Sequence, residues 1–233
     1  TTASVTEGGS TDTFTVALDV PPTSDVVLSV ASGDTGEATV SPSTLTFTVA
    51  NWSTPQTVTV TGVDDSVDDG DQDTTVTVSV VAASSADAYD GVANQAVTAT
   101  TTDDDTSGYT LSTTTASVTE GGSTDTFTVV LNTEPTGTVA LDVSSADIGE
   151  ATVSPSTLTF TTANWSTPQT VTVTGVGEDV ADGDQDTTVT VAVDAGSTAD
   201  TLYDAIAAQT VTATTVDDDT VGFTLSGTSI TVT

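Results

Sequence analysis

Residues 41–62 read SPSTLTFTVANWSTPQTVTVTG and residues 154–175 read SPSTLTFTTANWSTPQTVTVTG, with Val49 against Thr162 as the one difference. A near-copy that long makes the chain an array: whatever one unit folds into, the next folds into too. The same offset of 113 residues carries Glu7 of TEGGSTDTFTV to Glu120, and Trp52 to Trp165. After a one-residue insertion the offset is 114, which carries Asp103-Asp104-Asp105 to Asp217-Asp218-Asp219. TVGFTLSGTSITVT at 220–233 then matches TSGYTLSTTTASVT at 106–119. The predicted organisation is repeat 1 over 1–105, repeat 2 over 106–219, and a first strand of a third repeat, or a donor strand, over 220–233.

Within a unit, apolar residues alternate with threonine at a period of two, as in Phe14, Val16 and Leu18, or Val76, Val78 and Val80. Such alternation marks half-buried strands, and threonine suits the solvated face because its branched Cβ favours extended backbone. Strands are predicted near 2–7, 12–19, 26–32, 44–49, 57–63, 74–82 and 95–102, and no segment has a helical period. Seven short strands in about 110 residues imply an all-β fold class, tandem immunoglobulin-like Greek-key β-sandwiches of about seven strands each. Trp52 and Trp165 are expected to fill core ends. Repeat 1 has no counterpart of Gly108-Tyr109-Thr110-Leu111-Ser112. Two readings follow: a longer array supplies that stretch, which is the primary expectation, or the last strand of another copy does so by strand addition. The start at Thr1-Thr2-Ala3, mid-pattern and with no signal peptide, reads as an internal or processed segment.

Charge then decides the partners. The chain has no Lys, Arg or His against 34 Asp plus Glu, a formal charge of −34, so no side-chain ion pair can form. Nucleic acid is excluded as a partner, since phosphate contacts require Lys and Arg, and anionic membrane surfaces repel such a chain. No apolar run approaches the roughly 20 residues of a membrane-spanning helix, so no membrane insertion is expected in this segment. With no His, Cys or Lys, most nucleophilic and acid–base chemistry is absent, and no enzymatic activity is expected. Acidic chains with 4% aromatics are often disordered, but 35% hydrophobic residues in strict alternation argue for a packed core.

If consecutive strands run antiparallel, the first, third, fifth and seventh all end at one pole. Glu7, Asp34, the loop Asp64-Asp65-Ser66-Val67-Asp68-Asp69-Gly70-Asp71-Gln72-Asp73, and Asp103 to Asp105 would converge there. Carboxylates so close repel unless a cation from outside joins them, and a hard divalent ion with oxygen ligands, Ca²⁺, is the natural partner. The absence of Cys and His disfavours zinc and copper.

VTEGG, GVDDSVDDGDQD and DDDTSGYTL together resemble the Calx-β domain, the calcium-binding sandwich of sodium–calcium exchangers and many bacterial surface proteins. NWSTPQTVTVTGVDD is also similar to repeats of giant bacterial adhesins. The resemblance implies metal ligands at Glu7, Asp34, Asp64, Asp65, the carbonyl of Val67, Asp69, Asp103, Asp104 and Asp105. In repeat 2 it implies Glu120, Asp147, Glu178, the carbonyl of Val180, Asp182, Asp217, Asp218 and Asp219, with Gly177 where repeat 1 has Asp64. The expected function is a calcium-stabilised extender or filament segment of an extracellular adhesin or fibre, partnered by neighbouring repeats and able to self-assemble by strand addition. The alternative is a glycan- or ice-binding module on a threonine face such as Thr44, Thr46 and Thr48. Asn51-Trp52-Ser53 and Asn164-Trp165-Ser166 fit the N-glycosylation pattern.

Overall fold

In a computed structural model that describes residues 1–225 and 227, the chain divides into two compact units, Thr1–Thr106 and Ser107–Thr233. Unit 1 holds β1 (Thr2–Thr6), β2 (Thr11–Val16), β3 (Val26–Ser32), β4 (Ala38–Ser41), β5 (Thr44–Phe47), β6 (Gln56–Gly62), β7 (Gln72–Val80) and β8 (Gln95–Thr102). One sheet has the order β1-β8-β7-β3-β5 and the other β2-β6-β4. The inward rows, among them Phe14, Val26, Leu45, Phe47, Val58, Val60 and Val76, form one apolar core between the sheets. This is an immunoglobulin-like Greek-key sandwich.

Unit 2 repeats the plan with one strand more: β9 (Tyr109–Leu111), β10 (Thr115–Thr119), β11 (Thr124–Leu131), β12 (Val139–Ser145), β13 (Ala151–Ser154), β14 (Thr157–Phe160), β15 (Gln169–Gly175), β16 (Gln185–Val193) and β17 (Gln209–Val216). Its sheets run β10-β17-β16-β12-β14 and β13-β15-β11-β9. Of the strand expected over 220–233, residues 226 and 228–233 lie outside the described residues, and 220–225 form none.

The expected strand near 44–49 has an additional first half. β4 pairs antiparallel with β6 and β5 antiparallel with β3, so the chain changes sheets across Pro42 while keeping its direction. Such a switch lets one strand cover the edges of both sheets. It also restarts the chain at Ala38, close to the end of β3.

β1 runs parallel to β8, β8 antiparallel to β7, and β7 antiparallel to β3, so β1, β3 and β8 all finish at one pole. β2 follows β1 through Gly8 and Gly9, both at positive φ, and pairs antiparallel with β6, which therefore finishes there as well. The backbones pinch together at that pole: a Cβ on Gly62 would collide with the Thr6 carbonyl oxygen, and one on Gly175 with that of Thr119. Only glycine permits this approach, and it sets the end of β1 directly over the loop that follows β6. No helix among the described residues is long and apolar enough to cross a membrane.

Candidate metal centre

Strand alternation puts an acid where a hydrophobe belongs. Ala3 and Val5 of β1 point into the core, and Glu7 is the next member of that row; Ala116, Val118 and Glu120 repeat the arrangement. Glu7 is 4% exposed and Glu120 is 5% exposed. Their backbone amides extend the parallel ladder by donating to the carbonyls of Thr102 and Val216. Oε2 of each carboxylate is buried and has no hydrogen-bond partner. A buried polar atom without a partner costs free energy, more so when charged.

What surrounds these atoms is more acid. In unit 1 the carboxylates of Glu7, Asp104 and Asp105 bring oxygens within 4.8 Å of one another, and those of Glu37, Asp65 and Asp69 do the same. In unit 2 the groups are Glu120 with Glu178 and Asp182, and Glu120 with Asp217 and Asp219, so Glu120 belongs to both. Oδ2 of Asp219 is likewise buried without a partner. Burial pushes the Glu7 carboxyl from 4.5 up to about 7, with further upward contributions from Asp65, Asp103, Asp105 and Glu37. Burial is also the first cause of the raised carboxyls of Glu37, Asp105, Glu120, Glu178 and Asp219, followed in each case by neighbouring acids.

Several residues singled out in the sequence also hold backbone amides, some inside those groups and some outside them. Asp103 fastens the long loop to the end of β8: its Oδ2 accepts from the Gly70 amide at 2.6 Å and its Oδ1 from the Asp105 amide at 2.8 Å. Asp217 holds the Gly183 and Asp219 amides at 2.7 and 2.8 Å. Gly70 and Gly183 both have positive φ, which turns the loop back toward these carboxylates. Asp34 and Asp147 lie outside the three-carboxylate groups; each closes its own turn by accepting from the amide of Gly36 or Gly149 at 2.8 Å. Asp65 Oδ1 accepts from the Val67 amide, and the Val180 carbonyl accepts from the Asp182 amide. Asp64 Oδ1 and Asp104 Oδ2 stand 3.9 and 4.0 Å from where a Cβ on Gly8 would lie, and Asp218 Oδ2 stands 3.9 Å from one on Gly121.

Sequence reasoning missed Glu37. It directly precedes β4, its carbonyl accepts from the Val63 amide and the Thr101 hydroxyl, and that places its carboxylate beside the loop. The short alternating run Ala38-Thr39-Val40, repeated at 151–153 behind Glu150, was the available signal. Unit 2 lacks the Asp64 carboxylate, and its turn closes over the vacated space: a Cβ on Gly177 would lie 2.9 Å from the Gly121 amide nitrogen. Glu178, in the place of Asp65 and one methylene longer, joins Glu120 there.

All donors are hard oxygens. The orphaned, buried carboxylate atoms fit a divalent cation of calcium's preferences better than one that demands nitrogen or sulfur. The sign of the pH dependence follows from Glu7. Between about 4.5 and about 7 the folded unit keeps a proton that the unfolded chain releases, so metal-free stability falls as pH rises through that window. In chelator, unit 1 is expected to melt several degrees lower at about pH 7.5 than at about pH 5. In calcium, which competes with that proton, the trend reverses. Melts across the window that show no slope in chelator would contradict the buried acid.

No family model and no curated protein matches the chain. Similar solved structures include the S-layer protein SbsC, domains 4 and 5, at 19% identity over 81% of this chain and 70% of that one, with a TM-score of 0.40. Domains 1–6 of the surface layer protein SbsC match at 20% identity over 83% of this chain and 20% of that one, with a TM-score of 0.40. CBD12 from CALX1.2 matches at 12% identity over 92% of this chain and 96% of that one, with a TM-score of 0.37. Likenesses this distant bear on neither the site nor the function.

Proposed function

We propose that the chain is a calcium-stiffened structural segment of an extracellular surface protein or fibre, each unit binding Ca²⁺ at the pole where β1, β3, β6 and β8, or β10, β12, β15 and β17, end. The observation that carries this is the buried, unpartnered Oε2 of Glu7 and Glu120 at the end of an inward strand row, facing carboxylates that nothing in the chain can neutralise. In unit 1 one ion lies among Glu7, Asp104 and Asp105, and a second among Glu37, Asp65 and Asp69. In unit 2 both ions share Glu120. Ca²⁺ accepts six to eight oxygens in tolerant geometry, so carbonyls and water complete each shell. The free calcium of extracellular fluids suffices for such sites.

Asp103, Asp104 and Asp105 are also the last residues before Thr106, where unit 1 ends. Calcium bound there orders the chain where it leaves unit 1 and so stiffens the segment. Spin labels on Thr13→Cys and Thr126→Cys, both exposed positions in a chain without cysteine, report this directly. A narrow distance distribution in calcium that broadens in chelator is expected. Equal widths in the two conditions would refute the stiffening.

A further inference from the structure

Asp69, Asp90 and Asp182 each directly precede a glycine. Asp69-Gly70 and Asp182-Gly183 occupy the same place in the long loop of each unit, ahead of β7 and β16. Both pairs are exposed, and neither lies in a strand. A Cβ on Gly70 or on Gly183 would meet nothing within 4 Å, so the space beside each glycine is open. Each glycine amide is also held by an acid: Asp103 Oδ2 accepts from Gly70 at 2.6 Å, and Asp217 Oδ2 accepts from Gly183 at 2.7 Å. A hydrogen bond to an anion polarises the N–H and leaves the nitrogen richer in electrons. Asp90-Gly91 is exposed too, but it follows the short turn Asp87–Tyr89, and Asp90 belongs to none of the carboxylate groups among the described residues.

An aspartate before glycine has a reaction open to it that bulkier neighbours suppress, because glycine has no Cβ to hinder its nitrogen. That nitrogen attacks Cγ of the aspartate. A C–N bond forms, the amide hydrogen and the carboxyl hydroxyl leave together as water, and a five-membered succinimide closes. Water then adds back to one of its two carbonyl carbons. Breaking the bond to Cγ restores aspartate. Breaking the bond to the main-chain carbon leaves isoaspartate, whose backbone runs through the former side chain. Water is the only co-reactant.

The attack requires a carboxyl with a hydroxyl to lose and freedom to swing onto the next nitrogen. An ion held by Asp69 with Glu37 and Asp65, or by Asp182 with Glu120 and Glu178, takes both away. We infer, on the calcium reading above, that Asp69 and Asp182 are isoaspartate-forming sites that bound calcium protects. A unit left without its ion then converts by its own chemistry into one that binds the ion poorly. Isoaspartate lengthens the loop backbone by one methylene and shortens the carboxylate arm by one, so the ligand is withdrawn from its group. Because the metal-free loop is the reacting form, free calcium at about a hundred times Kd slows the conversion about a hundredfold.

The full chain, aged for weeks at neutral pH in calcium or in chelator and below both melting transitions, is mapped for isoaspartate by fragmentation mass spectrometry. In chelator, isoaspartate is expected at 69 and 182, and in calcium about a hundredfold less of it. Asp90 should convert alike in both media and so supplies the internal reference. Returned to calcium, the chelator-aged chain should bind the ion at least about tenfold more weakly than before ageing. A chain carrying Asp69→Glu and Asp182→Glu should lose none of its own starting affinity on the same treatment, since glutamate must close a six-membered ring, which is far slower. Equal conversion of 69 and 182 in the two media, with calcium still raising the melting temperature, would overturn the protection and leave the calcium reading standing. Equal conversion with no calcium shift of the melt would sink both. Conversion of Asp90 in chelator with none at 69 or 182 would overturn the proposal.

Discussion

In about 1 mM calcium each unit is expected to melt about 20 °C higher than in chelator. The figure follows from linkage. A site of mixed carboxylate and carbonyl donors with a Kd near about 10 μM contributes about 2.7 kcal/mol at a hundredfold excess of free ion. Two ions per unit then contribute about 5 kcal/mol, and a domain of this size shifts by about 4–8 °C per kcal/mol. The chelated state also carries the repulsion of the acidic pole, which no residue of the chain can relieve. Sodium chloride at about 1 M screens that repulsion over a few ångströms without supplying ligation, so it should restore only part of the difference. Calorimetry in the three conditions measures all of this, and coincident transitions in calcium and chelator would remove the metal from the account.

Glu7→Gln is expected to change sign with the medium. The substitution keeps the shape of the side chain and deletes a charge that is buried without a partner. In chelator at about pH 7.5, where the folded unit has lost the Glu7 proton, the variant should therefore be more stable than the parent, because the penalty of a desolvated anion among Asp65, Asp103 and Asp105 is gone. In calcium it should be less stable, because the ion loses a charged ligand. Changes outside a metal's immediate ligands already weaken binding about 10–100-fold, so losing a direct one should cost at least about the upper end of that range. Glu120→Gln should be the more severe of the pair, since Glu120 belongs to both groups of unit 2 whereas Glu7 belongs to one in unit 1. A structural role alone would move both media in the same direction. Parallel losses in calcium and chelator would count against ligation.

Much of this site is legible in the residues. Glu7 follows Ala3 and Val5 at a spacing of two, which places a carboxylate in a core row before any coordinate is known. The convergence of four strand ends needs only alternating direction, and the sheet pairings have that direction. Glu37 was hidden because β4 has four residues and breaks at Pro42, too short a run for period two to stand out beside the longer strand that follows. Which carboxylates meet also depends on loop backbone that pattern cannot give. Asp34 is spent on an amide of its own turn and Asp103 on the Gly70 amide of the β6–β7 loop, while Asp104 and Asp105 meet Glu7. The exchange of Asp64 for Gly177 is visible in the sequence, but its consequence is not: the neighbouring turn moves in over Gly177, and Glu178 reaches Glu120.

Everything turns on whether the orphaned oxygens of Glu7 and Glu120 are metal ligands. Crystals grown in calcium and measured for anomalous scattering answer that most directly. Ordered calcium is expected within bonding distance of Oε2 of Glu7 and of Glu120, about 2.3–2.6 Å away. Well-ordered poles in which those atoms face only water or protonated neighbours, with calcium present in excess, would contradict it.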